Sequence, residues 1–147
     1  VIFHDNPGNR VDPFWLELVV PVGTDLLYTV PANASIRLQL FHLKLTTSAA
    51  VANRRPYISI WSPTGAYAWR RTFVDIPPSQ NYAWSFTLGG SENPLVNRDY
   101  ACTLPNLWLP AGTFIGTQIG LIDAADQIDQ VILSGLIGFF MGRTIAF

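Results

Sequence analysis

The stretch Ser35-Ile36-Arg37-Leu38-Gln39-Leu40-Phe41-His42-Leu43-Lys44-Leu45-Thr46 decides the fold class. Apolar residues alternate with polar ones along it, first at even positions (Ile36, Leu38, Leu40) and then at odd ones (Leu43, Leu45). A period of two belongs to a β-strand with one buried face. A regular strand cannot change phase, so the switch at Phe41–His42 predicts a β-bulge or bend there. Such a bend lets one strand serve two parts of a curved sheet.

The same alternation recurs outward from this stretch. Phe14, Leu16, Leu18 and Val20 share one face of Phe14–Val20, with Trp15, Glu17 and Val19 on the other. Further strands are predicted at Leu26–Val30, Pro56–Trp61, Tyr67–Ile76, Tyr82–Leu88, Tyr100–Leu104, Leu107–Leu109, Phe114–Ile122 and Ile128–Phe140. Gly89–Asp99 reads as the main loop. Eleven Pro and eleven Gly separate these runs, and no long segment keeps apolar residues at helical spacing. In turns such as Pro31-Ala32-Asn33, proline presets one corner and Asn or Gly accepts the left-handed one. Leu109-Pro110-Ala111-Gly112 echoes Val30-Pro31-Ala32-Asn33, an echo that shared turn chemistry explains. About nine strands at this spacing make the chain all-β, a jelly-roll-like two-sheet antiparallel sandwich with extended termini. Residues 1–13 are expected to form an N-terminal arm and 14–147 the single sandwich domain.

A chain of 147 residues suits one domain. Its most informative property is a charged fraction of 13%, against about 25% in ordinary soluble domains. Aromatic residues also reach 13%. So much apolar bulk with so little charge implies a surface covered by partners. A net charge of −1 argues against nucleic acid as that partner. The longest apolar stretch, Val131–Met141, falls short of the roughly 20 residues needed for a membrane helix. No charged start followed by an apolar core marks Val1–Arg10 as a leader, so no membrane association is expected.

No motif points to catalysis, a metal or a cofactor. His4 and His42 lack neighbours at metal-ligand spacing, and Cys102 falls within a predicted strand, where burial makes a thiol inert. Glu17 and Glu92 are far apart in sequence. Asp123, Asp126 and Asp129 form a spaced series that lacks the glycine and terminal glutamate of an EF-hand, and they read as a polar hairpin turn. The pairs Arg54-Arg55 and Arg70-Arg71 suit carboxylates on a partner, and Arg70 and Arg71 must point to opposite faces of their strand. Tyr67, Trp69 and Phe73 are expected on one face, and Tyr82, Trp84 and Phe86 on one face, the two packing as an aromatic core.

Leu27-Tyr28-Thr29-Val30-Pro31-Ala32, Leu45-Thr46-Thr47-Ser48-Ala49-Ala50-Val51-Ala52-Asn53-Arg54-Arg55-Pro56, Leu107-Trp108-Leu109-Pro110-Ala111-Gly112 and Asp126-Gln127-Ile128 together resemble a family of small virion proteins of tailed bacteriophages. The resemblance spans about Leu26–Leu133 and rests on turn and strand signatures. It implies a β-sandwich carried on the virus particle as a capsid cement or decoration protein, made in the host cytoplasm. The expected partners are copies of the chain itself, as a trimer, and the major capsid protein. The residues expected at the interface are Ile2, Phe3, Trp15, Arg54, Arg55, Ile145 and Phe147. The alternative is a carbohydrate- or receptor-binding module of a head or tail fibre, with Trp61 or Trp69 stacking on sugar.

Overall fold

The computed structural model describes residues 9–96 and 98–140, which form eleven strands. In chain order they are β1 (Asn9–Leu18), β2 (Leu27–Thr29), β3 (Ala34–Thr46), β4 (Arg55–Trp61), β5 (Tyr67–Thr72), β6 (Asn81–Leu88), β7 (Asn93–Val96), β8 (Asp99–Leu104), β9 (Leu109–Pro110), β10 (Phe114–Gly120) and β11 (Gln127–Phe140). The larger sheet runs β1-β11-β3-β6-β8-β7, with β9 added along β3, and the smaller runs β2-β10-β4-β5. The two form a sandwich, as the alternation predicts. One pair departs from the expected antiparallel plan: β6 and β8 are parallel. The intervening chain does not turn back as a hairpin. It crosses to the sheet edge as β7, inside the segment read as loop, where Pro94 and a length of four residues hide the strand signal.

The expected phase change in β3 is present, a little earlier than predicted. Leu40 pairs with Ser134 while Leu38 pairs with Gly135, leaving Gln39 as an extra residue. A second shift lies between Asp129 and Ile132 of β11, where Gln130 adopts φ +50°. The two bulges sit on opposite strands, so the register lost at one is restored at the other. Between them both strands move their buried positions from even to odd numbers: β3 from Ala34, Ile36 and Leu38 to Phe41, Leu43 and Leu45. Gly135 makes the first bulge possible, since a Cβ there would lie 2.0 Å from the Arg37 carbonyl oxygen.

The inner faces meet in one core. Phe41, Leu43, Leu45, Trp84, Phe86 and Leu133 of the larger sheet pack against Ile58, Ile60 and Ile115 of the smaller. Trp69 meets Phe86 edge to face at 5.3 Å, and Phe73 lies 5.5 Å from Trp84 and 5.0 Å from Tyr100. Tyr67 does not join them as expected. Trp69 pairs with Ile60 and Tyr67 with Trp61, so Ala68 is an extra residue that puts Tyr67 on the outer face. The strand at the N-terminal end also starts earlier than predicted. Residues 9–13, assigned to an arm, belong to β1 and pair with β11 from Asn9 onward, while 1–8 lie outside the described residues.

Gly135→Ala is expected to cost about 1–3 kcal/mol, the range for overpacking a close-packed site, seen as a fall in Tm of roughly 3–10 °C. Gly138→Ala, whose Cβ would meet nothing nearer than 3.7 Å, is the control and should change Tm far less. Thermal unfolding of both variants measures the difference.

Candidate assembly surface

One end of the sandwich is built from three irregular segments: 19–26 after β1, 47–54 after β3 and 121–126 after β10. Arg54 and Asp126, with no exposed side-chain surface, join them. Arg54 Nε donates to Asp126 Oδ2 and Nη2 to Oδ1, both at 2.8 Å, the two-pronged geometry that a guanidinium and a carboxylate share. Arg54 Nη2 also donates to Ser48 Oγ at 2.9 Å, and Nη1 to the carbonyls of Ala50 and Ala52. Asp126 accepts further bonds from the Ser48 N–H at 2.7 Å and the Asp123 N–H at 2.9 Å. Its own carbonyl accepts from the Gly23 N–H at 2.7 Å, which ties in the first segment.

A buried ion pair is tolerable only when its remaining donors and acceptors are matched, as here. Burial alone would push the Asp126 carboxyl up. The bonds from Arg54 and from the N–H groups of Asp123 and Ser48 outweigh it and hold the carboxyl below the usual carboxylate range. The bond to Asp126 in turn raises the Arg54 guanidinium. Asp123 is lowered chiefly by the Ala125 N–H and by the Ser48 hydroxyl, which donates to it at 2.8 Å. The aspartate series is not the hairpin turn expected: it carries the chain from β10 in the smaller sheet to β11 in the larger, Asp129 lies within β11, and the carboxylates of Asp123 and Asp126 accept N–H groups, a hydroxyl and a guanidinium.

This geometry corrects one expected interface residue. Arg54 does not face a partner, because its guanidinium is consumed by its own chain. Arg55, the next residue, points out and pairs with Asp75 at 3.1 Å. Trp15 is exposed, as an interface residue must be, at 59%. It lies on β1, which among the described residues pairs only with β11. With Val11 and Pro13 it continues the outward-facing row that includes Ile132 and Leu136 of β11 and Leu40 of β3. Ile2, Phe3, His4, Ile145 and Phe147 lie outside the described residues.

Sequence reasoning missed the tips of the braced segments. Val22 is 58% exposed, Val51 98% and Leu121 72%. Leu121 also holds φ +62°, a left-handed conformation costly for a bulky side chain. The signal was partly there: Val22 lies in a Pro-Val-Gly turn and Val51 between predicted strands, but Leu121 fell inside the predicted strand Phe114–Ile122, which ends at Gly120. Other candidate groups are spoken for: His42 Nδ1 lies 2.7 Å from Ser85 Oγ on the outer face of the larger sheet, with burial lowering its pKa. Cys102 is buried in β8, and burial pushes its thiol up.

No protein family matches the chain, and no curated protein matches it in sequence. Among solved structures it is similar to a subunit of Bacillus endospore appendages, described as disulfide-linked pili, at 12% identity and a TM-score of 0.30 over 89% of this chain and 87% of that one. It is also similar to a chain of infectious bursal disease virus strain Gx, at 10% identity and a TM-score of 0.33, and to one from T=1 particles derived from that virus, at 8% and 0.26. It covers 33% and 32% of those two chains, each over 92% of its own length. A likeness this distant carries no functional meaning by itself.

Asp126→Asn leaves the Arg54 charge buried and unmatched and is expected to cost about 3–5 kcal/mol at neutral pH. Because folding depresses the Asp126 pKa, its contribution is present above the unfolded value of about 3.9 and is lost as pH falls from there through the folded value. The Tm gap between the parent protein and Asp126→Asn should therefore be widest near pH 7 and shrink toward pH 2. Calorimetry across that range checks it.

Proposed function

We propose that the protein is a structural subunit of a virus particle, a capsid cement or decoration protein on the virion surface. It associates with copies of itself, as the trimer that the phage resemblance implies, and clamps neighbouring capsid subunits. The observation that carries this reading is the set of aliphatic tips, Val22, Val51 and Leu121, on three segments cross-braced by a buried ion pair. Apolar side chains on mobile loops lose ordering entropy when they bind, whereas braced ones have already lost it. A rigid, apolar, weakly charged end suits many repeated shallow contacts and requires no reaction. The exposed Trp15 on the edge strand and the charged fraction of 13% support the same reading.

Light scattering of the protein at micromolar concentration should give a multiple of 16.3 kDa. Burying an aliphatic side chain contributes about 1.5–3 kcal/mol, so Val51→Asp with Leu121→Asp should weaken assembly or particle binding by roughly a hundredfold or more. Tm should hold or rise, because both side chains already face water. A parent protein that stays a monomer and binds no capsid, or a double variant that assembles normally, overturns the proposal.

A further inference from the structure

The outer face of the smaller sheet, on the side of the sandwich away from β1, carries a second kind of surface. Tyr57, Ser59 and Trp61 of β4 point outward between Phe114, Gly116 and Gln118 of β10 and Tyr67, Arg70 and Thr72 of β5. Trp61 lies 5.5 Å from Phe114 at 37° and 6.5 Å from Tyr67 at 50°, so the three rings form a shallow, tilted row. Arg70 lies between two tyrosines, its Cζ 4.3 Å from the Tyr57 ring centre and 4.7 Å from that of Tyr67. Gln118 Oε1 accepts the Tyr67 hydroxyl at 3.0 Å and Arg70 Nη2 at 3.5 Å. Beneath them Ser59 is wholly buried, and its Oγ has no partner. Gly116, also buried, admits the close approach of the chain entering β2, since a Cβ there would lie 2.1 Å from the Leu26 carbonyl oxygen.

Arg10, Arg54, Arg55 and Arg71 are matched by Asp12, Asp126, Asp75 and Glu92. Arg37, Lys44, Arg70 and Arg98 are matched by no carboxylate among the described residues, and of these four only Arg70 lies against aromatic rings on this face. With two rings within 5 Å of its Cζ, Arg70 keeps N–H groups beyond the one on Gln118, and these can take a carboxylate edge-on. The Gln118 acceptor is already used by Tyr67 and Arg70, so what Gln118 still has to offer a ligand is its amide N–H donors. The surface therefore offers aromatic faces and hydrogen-bond donors, and wants apolar C–H faces and oxygen acceptors with a negative charge.

We infer that this face binds an acidic saccharide, its sugar rings stacked along Trp61, Phe114 and Tyr67 and a carboxylate on Arg70. Charge and ring chemistry select this occupant. Three strands some 20 Å long and the shorter β2, about 4.8 Å apart, give a flat footprint of roughly 400 Å². That area suits a short run of sugar rings. The inference stands independently of the assembly reading, whose residues lie on the segments joining the strands at one end and on β1.

The test is titration of the full chain with oligogalacturonate and with a neutral galacto-oligosaccharide of equal length. Saturable binding of the acidic probe, preferred over the neutral one about tenfold or more, is expected. Trp61→Ala should weaken both probes. Arg70→Gln should abolish the preference while leaving Tm and the neutral binding in place, a result that separates recognition from misfolding. Val51→Asp should leave sugar binding unchanged. No binding of the acidic probe at millimolar concentration, or a preference that survives Arg70→Gln, overturns the inference. So does loss of capsid binding, without any sugar binding, in the Arg70 and Trp61 variants, which would assign the face to a protein.

Discussion

Two bulges of opposite sense in the β3–β11 ladder hold the larger sheet together. Both strands are long, at 13 and 14 residues, and each must keep apolar side chains inward along a curved path. Gln39 shifts β3 and Gln130 shifts β11, so the pairing remains in register at both ends. Each bulge absorbs one extra residue, so directly opposed side chains share a face on both sides of it: Leu133 and Phe41 point inward together between the bulges, as Ile128 and Leu45 do beyond them. The core around Phe41, Leu43 and Leu133, and the outward row of Leu40, Ile132 and Leu136, both follow from this compensation.

The chain uses its few charges in distinct ways. Arg54 is spent inside, bracing loops that would otherwise be free to move. Arg71 closes the edge of the sandwich against Glu92 at 2.5 Å, and Arg55 is held by Asp75 on the surface, where such pairs contribute little. Arg70 lies against the Tyr57 and Tyr67 rings with no carboxylate partner among the described residues. Arginines adjacent in sequence thus have opposite fates, because successive side chains of a strand leave on opposite faces. Arg54 and Arg55 divide between inside and outside at the start of β4, and Arg70 and Arg71 between the outer face and the edge of the sandwich.

The two proposed surfaces follow from the same division of labour. Apolar side chains exposed at the braced end are aliphatic and sit on rigidified turns, suited to repeated packing contacts. Those on the smaller sheet are aromatic and interleaved with donors, suited to a ligand that is part apolar and part oxygen. A particle protein that bound its shell by one end would leave the face of its smaller sheet available to the surroundings.

Much of this was legible in the sequence, because period-two alternation and Pro/Gly turns are local properties. The all-β class, the sandwich, most strands, the left-handed Asn33 corner (φ +61°), the phase change of β3 and the aromatic core of Trp69, Phe73, Trp84 and Phe86 could all be read from neighbours along the chain. Tertiary structure alone decided the rest. The Ala68 bulge moved Tyr67 outward, since register depends on the partner strand. The pairing of Arg54 with Asp126, 72 residues apart, withdrew an arginine from the expected interface. The parallel β6–β8 pair, the bracing of the segments that carry Val22, Val51 and Leu121, and the face that sets Arg70 beside Tyr57, Tyr67 and Gln118 likewise join residues far apart in sequence. Whether a side chain is matched, buried or left free depends on what folding places beside it, and no local pattern records that.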